Sequence, residues 1–349
     1  MAVTLKDISA KTGINTCSVS HVLNNHPRAM ELKAETRERI RLVAQEMGYT
    51  RNEIARSMVT GRNDVIAFVS SDIGTWEYTG KIMSGIMEEA TQRKFAVKVY
   101  HLTHSTPDNI MRQLTEQRVA GIIFHSDKNV DFDFIRNEAG KKQIPCATVN
   151  LSSTSAGIGV TTDDFQGVRD AVKYLAGLGH RRISYISYKP RPQFAVNREN
   201  GFIAGMKEFV PGSGKPRIAY SIGMENDKNE PLIRNMLSES DAKRPTAIIC
   251  YADYIACNVL QIAYQMRIEV PEELSVIGFA DLEVAKYATV PLTTVAQPFE
   301  QMGRETANML IDTIKNKRSD ILDKVENRKL PVRLVVRKST AAPRKCGSS

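Results

Sequence analysis

The chain has 349 residues, a length that suggests two or three domains. Of these residues, 42% are hydrophobic and 25% are charged, which is typical of a globular protein. No apolar run approaches the length of a membrane-spanning helix, and the first residues lack the apolar core of a signal peptide, so we expect a cytoplasmic protein with no membrane partner. The net charge of +9 favours a polyanionic partner. The five cysteines form no C-x-x-C pair, which predicts reduced thiols rather than a disulfide framework.

The first sixty residues are predicted to form three short helices. Apolar residues at helical spacing predict helices over residues 4–11, about 16–24 and about 33–46. Gly13 supplies the tight turn between the first two helices. Residues 1–62 contain ten Lys and Arg and six Asp and Glu, so much of the net positive charge of the chain is concentrated in this segment.

The second of these helices, capped by Asn15 or Thr16, has two contrasting faces. On a helical wheel Val19, Val22 and Leu23 cluster on one side, which predicts the buried face. The opposite face carries small polar residues and no acid: Cys17, Ser20, His21 and Asn24. A helix with such an exposed face, packed through a glycine turn onto the preceding helix, is typical of the helix-turn-helix arrangement that binds DNA.

Cys17 and His21 lie four residues apart, so the pair also matches half of a metal site. A zinc site usually needs four ligands, and His26 lies beyond the predicted helix end with no fourth ligand near it. An exposed face without a function is a further alternative. We favour base recognition, because histidine can donate to guanine and cysteine offers a small apolar contact to a thymine methyl group. We expect no metal and no other cofactor.

The segment TLKDISAKTGINTCSVSHVLNN resembles the N-terminal signature of the lactose-repressor (LacI) family of bacterial transcription regulators. The match continues, in the order of the family, through ETRERI, GY and NEIARSMVTGRNDVIAFV. The resemblance implies that Thr16, Cys17 and His21 read bases in the major groove. It implies phosphate contacts by Ser20, Asn24 and Tyr49, and further DNA contacts by Thr4, Ser18, Asn52, Ala55, Arg56 and Met58.

Residues 51–61, RNEIARSMVTG, are too few for a stable isolated helix and end at Gly61. The resemblance implies a hinge helix that orders on DNA and pairs with its copy in a dimer. Met58 would then be an apolar wedge in the minor groove, where family members usually have leucine, and Arg56 would lie near the phosphates or the minor-groove wall. An ordinary core position for Met58 is the alternative.

From Asp64 onward, short apolar runs alternate with amphipathic segments. The predicted strands are 65–70, 96–101, 121–125 and 146–150, followed by 183–187, 217–221, 246–251 and 274–279. The predicted helices between them include 79–93, 163–178, 198–209, 252–267 and 299–315. This alternation predicts two parallel sheets with right-handed crossovers, and ligands bound at the carboxyl ends of the strands.

The motifs GIIF, YLAGLGHRRISYI, NRENGF, LSVIGFAD and PLTTVAQP resemble the core of the same family. The expected fold class is therefore α/β: two doubly wound parallel-sheet lobes, a type I periplasmic-binding-protein-like core, preceded by an all-α helix-turn-helix headpiece and a hinge helix. The predicted domains are the headpiece (1–50), the hinge helix (51–61), an N-terminal effector-binding lobe (62–160 plus about 291–320), a C-terminal effector-binding lobe (161–290 plus about 321–340) and a disordered tail (341–349).

The resemblance also implies an effector site between the lobes. Arg198, in NRENGF, matches the arginine that binds the effector, and its fork of donors suits vicinal hydroxyls or a carboxylate. An ordinary arginine on the surface of a helix is the alternative. Asn150 ends a strand at a position where the family has a polar effector contact. Asp253 either contacts the ligand or caps the helix that follows it.

Two departures from the family pattern affect this site. In GFAD, Ala280 stands where an effector-contacting aspartate is usual, and Asp281 follows it. The loop DIGTWEYTG brings Trp76, Glu77 and Tyr78 to the mouth of the cleft. Trp76 either stacks on a sugar or has a plain packing role.

These features predict a repressor whose affinity for double-stranded, pseudo-palindromic operator DNA is controlled by a sugar or sugar derivative, and which acts as a homodimer or a tetramer. A stand-alone sugar-binding or transport protein is the alternative, but it would not need a basic helical headpiece. The segment PGSGKP fails the phosphate-loop pattern, and no Ser-His-Asp order or paired carboxylates stand out. We therefore expect no enzyme.

Overall fold

The computed structural model describes residues 3–24, 26–49, 63–71, 73–74, 76–102, 106–125, 132–150, 157–223, 226–317 and 324–344. The chain forms two compact units, residues 1–63 and 64–349. The predicted hinge helix, with Asn52, Ala55, Arg56 and Met58, lies outside the described residues.

The first unit is a small helical bundle. It contains α1 (Leu5–Thr12), α2 (Thr16–Leu23), a 3-10 turn (Pro27–Glu31) and α3 (Ala34–Glu46). Its buried core includes Ile8, Val19, Val22 and Ile40. The three helices predicted for this segment are confirmed, with helix ends that differ by one residue.

The second unit contains two six-stranded sheets. The first sheet has the order β11-β5-β4-β3-β1-β2 and consists of β1 (Val65–Ser70), β2 (Ala96–His101), β3 (Gly121–His125), β4 (Cys146–Val149), β5 (Gly157–Thr162) and β11 (Val325–Leu330). The second has the order β12-β10-β9-β8-β6-β7 and consists of β6 (Ile183–Tyr188), β7 (Arg217–Ser221), β8 (Ala247–Cys250), β9 (Ser275–Ala280), β10 (Thr293–Ala296) and β12 (Arg333–Val335). Neighbouring strands are parallel except β10 and β12. The predicted pair of parallel-sheet lobes is thus confirmed.

Helices cover these sheets. They are α4 (Glu77–Gln92), α5 (Pro107–Glu116), α6 (Asp133–Lys141), α7 (Asp164–Gly177), α8 (Gln193–Phe209), α9 (Asn226–Leu237), α10 (Asp253–Gln265), α11 (Glu283–Tyr287) and α12 (Phe299–Lys315). Within each lobe one helix pair approaches closely at glycine. A Cβ on Gly303 of α12 would collide with the Ile82 carbonyl oxygen of α4, and one on Gly201 of α8 would collide with the Phe165 carbonyl oxygen of α7. No helix among these residues is long and apolar enough to cross a membrane.

The chain passes between the two sheets three times. The first passage follows β5, close to the predicted position near residue 160. The second and third follow β10 and β11, later in the chain than the predicted positions near 290 and 320. Residues 293–296 therefore belong to the second lobe and residues 325–330 to the first, opposite to the predicted boundaries. The reason is pairing that the sequence does not reveal: β10 pairs with β9, and the polar edge strand β11 pairs with β5.

Part of the predicted tail lies against the second sheet. The Ala341 backbone N–H donates to Ser275 Oγ at 3.1 Å, and the Ala341 carbonyl oxygen accepts from the ring of His180 at 2.8 Å. Residues 345–349 lie outside the described part of the chain.

Candidate functional site

In the helical unit, both α1 and α2 begin with a side-chain cap that fixes where the helix starts. Thr4 caps α1: its hydroxyl oxygen accepts from Asp7 N at 3.4 Å, and its backbone N–H donates to Asp7 Oδ2 at 2.8 Å. The Thr4 N–H and the Thr4 hydroxyl both donate to the Asp7 carboxylate, and these two hydrogen bonds lower the pKa of Asp7 below its ordinary value. Thr4, predicted at the DNA interface, therefore also has a structural role in this unit.

The turn before α2 decides which face of that helix is exposed. Gly13 adopts the left-handed conformation with φ +69°, which favours glycine. Asn15 then caps α2 by accepting from Ser18 N at 2.7 Å. Val19 and Val22 are buried, and Leu23, also predicted on the buried face, is half-buried against the core. The remaining side chains of the helix face outward or are half-buried: Thr16, Cys17, Ser18, Ser20 and His21. The face predicted from the helical wheel is confirmed.

The side chains on this exposed face contact one another. Cys17 Sγ lies 3.7 Å from His21 Nε2, and the His21 ring stacks on His26 with centroids 4.6 Å apart. One turn along, Asn24 Nδ2 donates to Ser20 Oγ at 3.1 Å. The first turn of α2 contains no acidic residue. The face therefore presents donors, acceptors and a thiol without a negative charge, which suits the edges and phosphates of nucleic acid.

His26 and Tyr49, which flank this face, are engaged within the helical unit. His26 Nδ1 accepts from Arg28 N at 3.2 Å and so begins the 3-10 turn. Tyr49 is half-buried and packs against the core of the unit. Across the residues that the structure describes, no group of three or more His, Cys, Asp and Glu side chains is arranged to hold a metal ion.

In the second unit, Arg198 is buried where the carboxyl ends of several strands meet. The side chain lies on α8 and is 6% exposed. One guanidinium nitrogen, Nη1, donates to the Tyr251 carbonyl oxygen at 2.6 Å, and Nη2 donates to Gln297 Oε1 at 3.3 Å. The guanidinium carbon lies 3.8 Å from the centroid of the Phe279 ring. The Arg198 guanidinium is therefore in contact with protein groups from Tyr251, Gln297 and Phe279.

Asp164, at the start of α7, completes this group. Its Oδ2 lies 3.3 Å from Arg198 Nε, and its Oδ1 accepts from the Thr162 hydroxyl at 2.8 Å. Gln297 also donates to the Thr162 hydroxyl at 2.8 Å. Burial raises the pKa of Asp164, even though the Arg198 charge and the hydrogen bonds act to lower it. Asp164 and Gln297 lie within two residues of the ends of β5 and β10, and they were not predicted because neither strand was recognised in the sequence.

Asp253 has a structural role rather than the helix-capping role that was one of its two predicted alternatives. Its Oδ1 accepts from the Thr294 hydroxyl at 2.5 Å, and its Oδ2 accepts from Leu282 N at 2.8 Å. The cap of α10 is Ala252 and has no side-chain hydrogen bond. Burial raises the pKa of Asp253 to about 6. One carboxylate oxygen thus connects α10 to β10, and the other connects it to the turn after β9.

In the altered GFAD turn, the Asp281 carboxylate is also bonded to another protein side chain. Asp281 Oδ1 accepts from Arg337 Nη2 at 2.5 Å. Ala280 has φ +125°, a conformation that costs free energy for a residue with a side chain. Asn150, at the end of β4, is half-buried and has φ +62°, which asparagine tolerates better than most residues.

Trp76, Glu77 and Tyr78 lie at the start of α4, and two of them contact the second lobe. Trp76 lies against Tyr254 of α10, with ring centroids 5.5 Å apart, and its indole nitrogen is buried without a hydrogen-bond acceptor among the described residues. Glu77 Oε2 accepts from Glu283 N at 2.9 Å. The Tyr78 ring instead stacks on Phe299 of its own lobe at 5.4 Å.

Two family models match the chain. One, described as "Bacterial regulatory proteins, lacI family", matches residues 4–52, and one described as "Periplasmic binding protein-like domain" matches residues 172–340. The chain is 32% identical over 346 residues to the HTH-type transcriptional regulator DegA of Bacillus subtilis (strain 168), and the match covers 98% of this chain and 99% of that protein.

Solved structures share the fold. The lac repressor dimer bound to operator and the anti-inducer ONPF has a TM-score of 0.78 and 24% sequence identity, over 98% of this chain and 100% of that one. The complex of the transcriptional regulator CelR with cellobiose has a TM-score of 0.65 and 24% identity, over 97% of this chain and 99% of that one.

Proposed function

The chain belongs to the lacI family of bacterial regulatory proteins and is a DNA-binding transcription regulator rather than an enzyme, and from this premise we propose that it is an operator-specific repressor controlled by a small effector. The effector binds between the two lobes and is a sugar or sugar derivative. Because the DNA partner is the bacterial chromosome, the protein acts in the cytoplasm.

The exposed face of α2 carries this proposal. Base edges in the major groove are read by Thr16, Cys17 and His21. The phosphates are contacted by Ser20, Asn24 and Tyr49. Support comes from the 3.7 Å contact between Cys17 and His21, which orders both side chains on one exposed face. The hinge residues Asn52, Ala55, Arg56 and Met58 are assigned to the DNA interface by resemblance alone, with Met58 as the wedge in the minor groove.

The effector site is assigned to the cleft between the lobes. Arg198 is its central residue, with Asn150, Trp76, Glu77, Tyr78, Asp253 and Asp281 around it. Support comes from the position of Arg198 at the carboxyl ends of the strands, which is where open parallel sheets bind ligands, and from the sugar complex of the structurally similar CelR. Binding would favour one relative orientation of the lobes and so alter operator affinity.

We further propose that the protein acts as a dimer, in which a second copy covers a groove on the second lobe. Helices α10 and α11 line this groove of about 1160 Å³. Two large aromatic side chains beside it, Tyr264 and Tyr287, are 79% and 82% exposed. Support comes from the dimer in the similar lac repressor structure and from the symmetric site that a dimer would bind. A Tyr264→Glu variant should run as a monomer in analytical ultracentrifugation, whereas a dimer of normal affinity would refute the groove assignment.

Selection from randomised DNA tests the main proposal. The full chain should enrich a pseudo-palindromic sequence, and a fluorescent duplex of that sequence should bind tightly and with strong salt dependence. Enrichment of no sequence, or equal affinity for all duplexes, would refute operator-specific repression. Release of the bound duplex by one of a set of sugars and sugar derivatives would identify the effector.

A further inference from the structure

His26 lies outside α2, yet its ring contacts a helix residue that is assigned to base reading. The rings of His21 and His26 stack with their centroids 4.6 Å apart and their planes 19° apart. His21 is half-buried and His26 is exposed, so the two rings meet at the surface of the helical unit. Their contact therefore affects how the exposed face of α2 is arranged and not how the core is packed.

The backbone at the end of α2 brings the two rings together. The His26 N–H donates to the His21 carbonyl oxygen at 2.9 Å, a hydrogen bond of the kind that closes many helix C-termini. His26 is also held from the other side, because its carbonyl oxygen accepts from Ala29 N at 2.8 Å and Ala29 is buried in the core of the unit. The backbone on both sides of the His26 ring is thus fixed by the fold of the helical unit.

The side chain of His26 is fixed as well. Its Nδ1 accepts from Arg28 N at 3.2 Å. A neutral imidazole has one donor and one acceptor nitrogen, so this hydrogen bond determines both the orientation of the ring and the nitrogen that carries the proton. An exposed histidine without such a bond would exchange between several rotamers. The His26 ring therefore offers His21 a flat surface in one fixed position.

His21 is restricted at a second point, by Cys17. The His21 Nε2 atom lies 3.7 Å from Cys17 Sγ, one turn earlier on α2. The thiol contacts an edge of the His21 ring and His26 contacts its face, so the two residues restrict the ring in different directions. A side chain that is ordered before binding loses less entropy on binding, and it directs its donors and acceptors to one position on a base pair.

We propose, on the basis of the base-reading role assigned to α2 above, that His26 is a positioning residue that holds the His21 ring and so sets the base preference of the position read by His21. His26 acts through His21 and does not itself contact a base. It also caps the 3-10 turn through Nδ1. The two roles use different parts of the side chain, the face of the ring and one ring nitrogen, so substitution can separate them.

Two substitutions in the full chain separate stacking from capping. His26→Phe keeps a flat ring over His21 and loses the acceptor for Arg28 N, whereas His26→Asn keeps an acceptor at the start of the turn and loses the ring. On the operator selected from randomised DNA, His26→Phe should bind within about twofold of wild type and keep its base preference. His26→Asn should bind about tenfold more weakly and discriminate less at one position in each half-site. The reverse order of the two variants would show that His26 acts only as a cap and would overturn the proposal.

A double-mutant cycle tests whether His26 acts through His21. His21→Ala and His26→Asn should lose discrimination at the same operator position. The variant that carries both substitutions should bind like His21→Ala alone, because no His21 ring is left to position. Additive losses would mean that His26 contacts DNA directly, which contradicts the positioning role. Met30→Ala is the matched control on the same turn, since Met30 is 73% exposed, and its base preference should equal that of wild type. Binding is measured by fluorescence anisotropy at a temperature at which circular dichroism shows every variant to be folded.

The results also distinguish this inference from the repressor function. If the chain selects an operator and His21→Ala relaxes one position, but His26→Asn leaves that position unchanged, the repressor function stands and the positioning role fails. If the chain selects no DNA sequence, both fail.

Discussion

The exposed face of α2 and the buried group around Arg198 show two ways of building a binding site. On α2, Cys17 and His21 lie four residues apart on one helix and contact each other at 3.7 Å. Around Arg198, the bonded partners come from distant parts of the chain: Tyr251 is 53 residues away and Gln297 is 99 residues away. The first site is local and exposed, whereas the second is assembled from several elements and buried.

This difference predicts whether a substitution changes binding alone or both binding and stability. A side chain on the exposed face contributes little to the stability of its unit, so its loss should alter binding alone. A side chain in the buried group holds charged and polar partners that would be left unpaired, so its loss should alter stability and binding together. Four substitutions test this contrast, from the largest expected effect to the smallest.

Arg198→Ala should have the largest effect, because it leaves Asp164 buried without its cation. We expect the second unit to lose ~3–5 kcal/mol of unfolding free energy, as is typical when one partner of a buried pair is removed. Effector response should disappear, while operator binding is retained. Urea unfolding measures the first effect, and DNA binding with and without effector measures the second. The control is Arg304→Ala, whose side chain is 40% exposed and pairs with the 49% exposed side chain of Glu88. A normal effector response in Arg198→Ala would show that this arginine is not the central effector residue.

Asp253→Asn should change the pH dependence of stability. The pKa of Asp253 is raised from 3.8 to about 6 in the folded protein, so the native state favours the protonated form. Stability from this group is therefore complete below pH 3.8 and is lost as the pH rises through about 6. The loss amounts to about 3 kcal/mol at pH 7, because each tenfold difference in proton affinity between the folded and unfolded states corresponds to about 1.4 kcal/mol.

The measurement compares urea unfolding of wild type and Asp253→Asn between pH 4 and 7.5. The free-energy difference should shift in favour of the variant as the pH rises, because asparagine does not ionise. Asp241→Asn is the control, since the Asp241 side chain is 88% exposed. Parallel curves for wild type and Asp253→Asn would mean that Asp253 titrates normally.

His21→Ala should affect binding and spare stability, which is the opposite of the Arg198 result. We expect a loss of ~1–3 kcal/mol in affinity for the preferred operator and relaxed base preference at one position in each half-site. Fluorescence anisotropy on the selected operator and its single-base variants measures both. Gln45→Ala, on the exposed surface of α3, serves as control. An equal loss on every DNA sequence would indicate a phosphate contact and not base reading.

Thr4→Ala should have the smallest effect and act through the helix start alone. Loss of the capping hydroxyl should cost ~1 kcal/mol in the stability of the helical unit. Operator affinity should fall only as far as this unit unfolds, with base preference unchanged. Thermal unfolding followed at 222 nm and binding to operator variants check both points. Altered base preference in Thr4→Ala would mean that Thr4 contacts a base directly.

Much of the architecture could be predicted from the sequence because its signals are local. The first-unit helices and most of the core strands have apolar spacing that repeats every few residues, and each was found close to its observed position. The strands that were missed lack this signal. The run GIGVTT of β5 is rich in glycine, and VENRKL of β11 is polar because that strand lies at the edge of its sheet. Because β10 (TTVA) and β11 were not recognised as strands, the second and third passages between the lobes were placed too early.

The sequence by itself determined the family, the two parallel-sheet lobes and the exposed face of α2, because those follow from motifs and from periodicity within single elements. The tertiary structure alone decided how the cleft carboxylates are used. Asp253 is bonded to Leu282, 29 residues away, and Glu77 to Glu283, 206 residues away. Whether a carboxylate is free for a ligand depends on such partners, and a partner brought close by folding leaves no pattern in the neighbouring sequence.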